Sequence, residues 1–102
     1  MAEAALVALA RSGNDPDAFG ELVRRYQTRV FRLVVSILGQ EFAADAEDVA
    51  QDVFVRAHGA LGSYRGDAAF GTWLYRIAFN LAISVKARIR FRVPHVPDGA
   101  LA

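Results

Sequence analysis

The sequence predicts an all-α fold, a compact bundle of about four helices. Three observations carry this. Apolar residues recur at three- and four-residue steps through three long segments, the period of an amphipathic helix. Glycine, proline and aspartate punctuate those segments where helices start and stop. No two segments alternate apolar and polar residues as a strand pair requires. The chain has 102 residues, the size of one small domain, and such a chain buries roughly 60–70% of the surface that its unfolded form exposes.

Residues 4–11 read as a short first helix closed by Gly13. Asn14, Asp15 and Pro16 then form a helix start, with Asp15 as N-cap and Pro16 in the first helical position, where its missing N–H costs nothing. Phe19, Leu22, Val23, Tyr26, Val30, Leu33, Val34 and Ile37 follow at helical spacing as far as Gly39. Phe31, Val35 and Leu38 widen the apolar arc, so this helix should pack on more than one neighbour.

The third helix runs from about Ala44 to Ala60. Ala46, Val49, Ala50, Val53, Phe54, Ala57 and Leu61 face inward; Asp45, Asp48, Gln51, Asp52, Val55 and Arg56 face outward. Gly59 and Gly62 break the chain, and residues 62–68, GSYRGDA, form a loop in which Asp67 is expected to cap the next helix. The fourth helix covers residues 69–91, with Phe70, Trp73, Leu74, Ile77, Leu81, Val85 and Ile89 as its buried stripe. Residues 86–93, KARIRFRV, alternate like a strand but continue a helix without a break, which favours helix. Residues 1–92 thus make the domain, and 93–102, with two prolines and a glycine, read as a linker-like tail.

Composition excludes several classes of function. There is no cysteine, hence no disulfide or thiolate metal site, which is compatible with a reducing compartment. The start shows no signal-peptide pattern. No apolar run approaches the roughly 20 residues that span a bilayer, so no membrane insertion is expected. His58 and His95 are the only histidines and neither has a ligand partner at metal spacing. No nucleophile elbow, phosphate-binding loop or dinucleotide fingerprint is present. Asp48 and Asp52 are one turn apart, but on a solvated face such a pair is a surface pattern, so neither an enzyme nor a cofactor is expected.

Charge and aromatic placement say more. Net charge is +1, yet residues 1–50 carry −3 and residues 51–102 carry +4. The basic half points to an anionic partner, or else complements a helix C-terminus through Lys86, Arg88, Arg90 and Arg92. Acidic residues at the start of the third helix suit the helix dipole. Asp48, Gln51 and Asp52 also share one face, where carboxylates and an amide can meet the arginines of another protein; Arg56 lies four residues beyond Asp52 as a possible partner. Tyr64, Phe70, Trp73, Tyr75 and Phe79 are interleaved with Arg65 and Arg76. Rings stack on unpaired bases and arginines hold phosphates. Phe70 and Trp73 fall on the buried stripe, whereas Tyr64 and Arg65 have no core periodicity to explain them. Asn80 lies outside the main stripe, where its amide either meets a base edge or satisfies backbone.

These residues, taken in order, resemble region two of bacterial sigma factors of the extracytoplasmic-function (ECF) class. The resemblance covers about residues 3–92 and rests on three segments: DAFGELVRRYQTRVFRLV at 17–34, DAEDVAQDVFVRA at 45–57 and YRGDAAFGTWLYRIAFNLA at 64–82. It implies a cytoplasmic transcription initiation factor. It implies docking of the third helix, through Asp48, Gln51 and Asp52 with Arg56 beside them, on the clamp coiled coil of the largest subunit of core RNA polymerase. It implies that Tyr64, Arg65, Gly66, Asp67 and Ala68 capture a flipped base of the promoter −10 element on the non-template strand. Arg76, Asn80 and the basic run from Lys86 through Arg88 would then line that strand. The family also implies an anti-sigma regulator, which leaves open the reading that the chain is mainly a protein-interaction module. A reader of duplex DNA is disfavoured by the aromatic-rich loop. Three positions depart from the family pattern: Asp52 stands where Glu is frequent, Phe79 where a polar or basic residue is frequent, and Ser84 where Asp is frequent. The family's second domain, which reads the −35 element, has no counterpart in these residues, so the chain is expected to be one domain of a longer protein.

Overall fold

Four helices and two single 3-10 turns account for nearly all of residues 1–13 and 15–92, the residues described by this computed structural model. Helix α1 spans Glu3–Ser12 and ends on Gly13, whose left-handed backbone lets its N–H reach the Ala10 carbonyl. Helix α2 spans Pro16–Leu38. The Asp15 carboxylate accepts the Asp17 N–H at 3.0 Å, the capping expected from its place before proline. The helix closes at Gly39, which donates its N–H to the Val35 carbonyl at 2.8 Å. A 3-10 turn at Gln40–Phe42 leads into α3, Ala43–Ala60, and a second turn at Leu61–Ser63 leads to the loop before α4, Phe70–Arg92.

No strand occurs among the described residues. The alternating stretch after Val85 is helical to Arg92, because Ile89 turns inward to the core while Arg88 and Arg90 stay in solvent. The expected capping role of Asp67 does not hold. The first helical bond of α4 runs from the Trp73 N–H to the Ala69 carbonyl, so Ala69 occupies the cap position and Asp67 stands two residues too early. The tail expected at 93–102 lies outside the described residues.

Helix α2 is the axis of the bundle: α1, α3 and α4 all pack on it, and α3 also packs on α4. Its wide apolar arc, with Leu22, Val30, Val34 and Leu38 buried on different sides, is what several neighbours require. The centre is Leu22, Val30 and Val34 of α2, Val53 of α3 and Leu74 of α4, all essentially free of solvent. Ala46, Ala57, Ala78 and Ala82 fill the remaining inward positions and let the helices approach closely. Each buried Leu or Val stabilises the fold by about 1.5–3 kcal/mol. No polar residue is buried among the described residues, so the polar groups available for function lie at the surface. No helix among them is long and apolar enough to cross a membrane.

Candidate nucleic-acid and protein interfaces

Two surfaces emerge, one built on a regular helix and one at a corner. The first is the outer side of α3. Its inward positions are fixed by Ala46, Val49, Val53 and Ala57, so Asp48 and Gln51 must face solvent, and both are exposed. Asp52 accepts from the Arg56 Nε at 3.1 Å, the i,i+4 pair that its spacing suggested. Val55 sits amid these polar residues and is 69% exposed, an apolar side chain with no core role. Beside this face, α2 and α3 enclose an open groove of about 550 Å³, lined by Val23, Gln27, Thr28, Phe31, Glu47, Ala50, Gln51 and Phe54. Gln51 thus belongs both to the polar face and to the groove wall. Sequence reasoning missed the groove, although the widened arc at Phe31 was its signal.

The second surface is the corner where the loop meets the first turns of α4. Gly66 takes a positive φ of 83°, a conformation that side-chain-bearing residues rarely adopt and that turns the chain back towards α4. The turn closes a concavity of about 270 Å³ lined by Ser63, Tyr64, Arg65, Asp67, Ala68, Trp73 and Arg76. Four of the five loop residues predicted from sequence line it; Gly66 supplies the bend. Arg65, Asp67 and Arg76 are exposed, and neither arginine has an ion-pair partner among the described residues.

Tyr64 corrects the sequence expectation. It has no helical periodicity, yet it is only 9% exposed and belongs to the core. Its ring packs at 5.1 Å from Trp73 and at 6.0 Å, edge-on, from Phe70. Its hydroxyl donates to the Ala68 carbonyl at 2.6 Å, tying the two ends of the loop together. Tyr64 is therefore a wall of the concavity rather than a free ring. Trp73, read as mostly core, is partly buried and lines the same space. Its place at the edge of the apolar stripe was the available signal.

Further along α4, Asn80 is exposed, as its position off the stripe predicted. It borders two shallow clefts that flank the helix. One, of about 340 Å³, adds Leu33, Thr72, Tyr75, Arg76 and Phe79; the other, of about 350 Å³, adds Arg56, Ile77, Leu81, Ser84 and Arg88. Lys86 and Arg88 are both exposed but do not form one patch. Two residues along a helix is a turn of about 200°, so Arg88 lies in the cleft beside Arg56 while Lys86 faces away from it. Phe79 is half exposed on the side of the first cleft.

A network of rings underlies the corner. Tyr26 of α2 stands edge-on to Phe70 at 5.6 Å and to Tyr75 at 5.9 Å, and the Arg29 guanidinium lies 5.0 Å over its ring. The Tyr26 hydroxyl donates to Glu3 Oε1 at 2.5 Å. Burial, with the Glu3 hydrogen bond next in weight, pushes this phenol up to about 12. Among the described residues no group of histidines and carboxylates could hold a metal ion.

The Sigma-70 region 2 family model matches residues 22–92. Among curated relatives, the RNA polymerase sigma-H factor of Pseudomonas aeruginosa is 50% identical over 68 residues, which are 67% of this chain and 34% of that protein. The ECF RNA polymerase sigma-E factor of Escherichia coli K12 matches with the same identity and coverage. The ECF RNA polymerase sigma factor SigW of Bacillus subtilis is 41% identical over 80 residues, 78% of this chain and 40% of that protein. The chain spans about a third of the length of the first two relatives, 34% in each case. Among solved structures, the NMR structure of an engineered region 2 of sigmaE in complex with GTAAAA superposes with a TM-score of 0.80 at 36% identity, covering 93% of this chain and 96% of that one.

Proposed function

Because the chain belongs to the Sigma-70 region 2 family, we propose that it is the domain by which an ECF sigma factor binds core RNA polymerase and recognises and melts the promoter −10 element. It acts in the cytoplasm as an initiation factor, without catalysis of its own. Residues 1–92 form the working domain.

The observation that supports this best is the corner concavity, where two arginines with no ion-pair partner among the described residues flank a tryptophan face. Extruding a base from a duplex costs a few kcal/mol of lost pairing and stacking. Stacking on an aromatic face returns roughly 1–3 kcal/mol per base. Trp73 offers that face, Tyr64 and Ala68 bound the space, and Gly66 keeps the backbone close. Arg65 and Arg76 hold the neighbouring phosphates, and the exposed Asn80 amide reads a base edge. Lys86 and Arg88 serve different strands or different phosphate runs, since they occupy different sides of α4. On α3, Asp48, Gln51, Asp52 and Arg56 meet the clamp coiled coil of the polymerase largest subunit, with Val55 as an apolar contact at their centre.

Fluorescence anisotropy with the hexanucleotide GTAAAA and its scrambled form tests the DNA half of the proposal. The chain should prefer GTAAAA, and Asn80→Ala should remove most of that preference. Arg65→Ala and Arg76→Ala should each lower the salt dependence of binding by about 0.7 of a logarithmic slope unit. Equal affinity for both hexamers in every variant would overturn base-specific capture.

A second reading draws on the groove between α2 and α3. Its apolar walls, Val23, Phe31, Ala50 and Phe54, suit the side chains of a helix laid across it. An anti-sigma regulator that fills this groove would cover Gln51 and block polymerase docking. Competition between a regulator and polymerase for this domain is the outcome expected of that reading.

A further inference from the structure

Tyr26 occupies a core position of α2 where phenylalanine would bury the same ring. Its hydroxyl needs a partner in that setting, and the partner comes from another helix: Glu3, in the first turn of α1, accepts it at 2.5 Å. Arg25, the preceding residue, donates its Nη2 to the Met1 carbonyl at 2.7 Å. The start of α1 is thus tied to two adjacent residues of α2.

What Tyr26 touches on its other side gives those ties their consequence. Gly71 lies in the first turn of α4, and a Cβ there would meet the Tyr26 hydroxyl at 3.0 Å and its Cε1 at 3.1 Å. The first turn of α4 therefore sits closer to Tyr26 than a side chain at position 71 would comfortably allow. Phe70, the first residue of α4, meets the Tyr26 ring edge-on and then meets Tyr64 and Trp73, at 6.0 and 5.7 Å between ring centres. Tyr64 in turn holds Ala68 through its hydroxyl. A continuous series of contacts runs from Glu3 through Tyr26 and Phe70 to two walls of the concavity. A second route is shorter: α1 packs directly against the 3-10 turn Leu61–Ser63, which opens the loop.

We infer that α1 is the buttress of the base pocket, with Tyr26, locked by Glu3, as a positioning residue that fixes where Tyr64 and Trp73 stand. The inference rests on the base-capture reading and deepens it. Neither Glu3 nor Tyr26 lines the concavity, so their effect on DNA is exerted only through the rings between. Loss of the lock leaves the phosphate-binding arginines in place and loosens the pocket, so it weakens recognition of a captured base and spares binding to the backbone.

The test compares GTAAAA with hexamers in which each base in turn is replaced by an abasic site. Wild-type protein should bind one abasic hexamer markedly less well, which identifies the captured base. Tyr26→Phe, which removes only the hydroxyl, and Glu3→Ala should each lose about fivefold in affinity for intact GTAAAA, the worth of one hydrogen bond. Neither should lose affinity for that abasic hexamer. Glu3→Gln, which keeps an acceptor oxygen, should bind like wild type. Trp73 is the only tryptophan in the chain, so its emission reports the pocket wall without DNA and should shift in Tyr26→Phe. Equal losses on the intact and abasic hexamers, no loss on either, or an unshifted emission would each overturn the inference while leaving base capture standing. Wild-type protein that binds every hexamer alike would overturn base capture itself, and the inference with it.

Discussion

The outer face of α3 and the corner before α4, the two surfaces proposed to meet partners, display their side chains in opposite ways. On α3 the inward residues Ala46, Val53 and Ala57 are buried in the core, while Asp48 and Gln51 are exposed and Asp52 is partly so. Asp48, Gln51 and Asp52 are displayed on a scaffold that stands without them. At the corner the division fails. Tyr64 and Phe70 are core residues, Trp73 is packed against them, and Tyr64 and Trp73 also line the space where a base would sit. A partner-binding surface on a regular helix can change without unfolding the protein. A pocket lined by core rings cannot.

Tyr64→Ala should have the largest effect of any single change at the corner. Removing a buried aromatic ring costs about 3–5 kcal/mol, and here it also frees the Ala68 carbonyl from its hydrogen bond. Urea denaturation should show that loss together with lost binding to GTAAAA. Tyr64→Phe keeps the ring and should cost only about 1 kcal/mol, the net value of one hydrogen bond. If Tyr64→Ala unfolded at nearly the wild-type urea concentration, the corner would be as separable from the core as α3 is.

A smaller effect probes the foundation of the corner alone. Tyr26 holds its proton up to about 12, first because it is buried, then because Glu3 accepts its hydrogen bond and adds its negative charge; Tyr75 adds a little and Arg29 opposes. An unfolded tyrosine ionises near about pH 10. The folded state is therefore favoured for as long as the phenol is neutral. This contribution is complete below about pH 10 and is lost as pH rises through 12. The urea midpoint of wild-type protein should fall towards that of Tyr26→Phe across this window, and their difference should be constant between pH 7 and 9. Parallel curves up to pH 12 would mean that the hydroxyl is not held by the fold.

The contrast between the two regions also explains what was legible in the sequence. The α3 face could be read almost completely, because a single period decides which residues turn out and the i,i+4 rule pairs Asp52 with Arg56. The four helices and the cap at Asp15 followed from the same local rules. The corner was legible only as a list of residue types. Tyr64 lies outside any helix, so periodicity is silent about it, and its burial is decided by where Phe70 and Trp73 arrive in three dimensions. Asp67 looked like a cap because aspartate is a favoured N-cap residue, but the chain bends through residues 66–68 and the helix starts only at Phe70. The basic run from Lys86 was expected to line one strand, and its helical geometry splits Lys86 from Arg88. The tie between Glu3 and Tyr26 joins residues 23 positions apart and left no local pattern at all.

The smallest effect on stability should come from the change with a large effect on partner binding, and this makes it the most informative control. Asp48→Ala, Gln51→Ala and Asp52→Ala combined remove one surface ion pair, which contributes about 0.3–0.5 kcal/mol in a helix. They also replace two aspartates by the best helix former, which returns up to about 0.7 kcal/mol at each site. The return outweighs the loss by up to about 1 kcal/mol, so the melting temperature should stay at or slightly above that of wild type. Docking on the isolated polymerase clamp should nevertheless fall at least tenfold, because the arginines of the partner lose their carboxylates; a pull-down or interferometry titration measures it. Retained docking would remove Asp48, Gln51 and Asp52 from the polymerase face. A large fall in stability would mean that the outer side of α3 carries packing after all, and the separation between display and core would then hold in neither region.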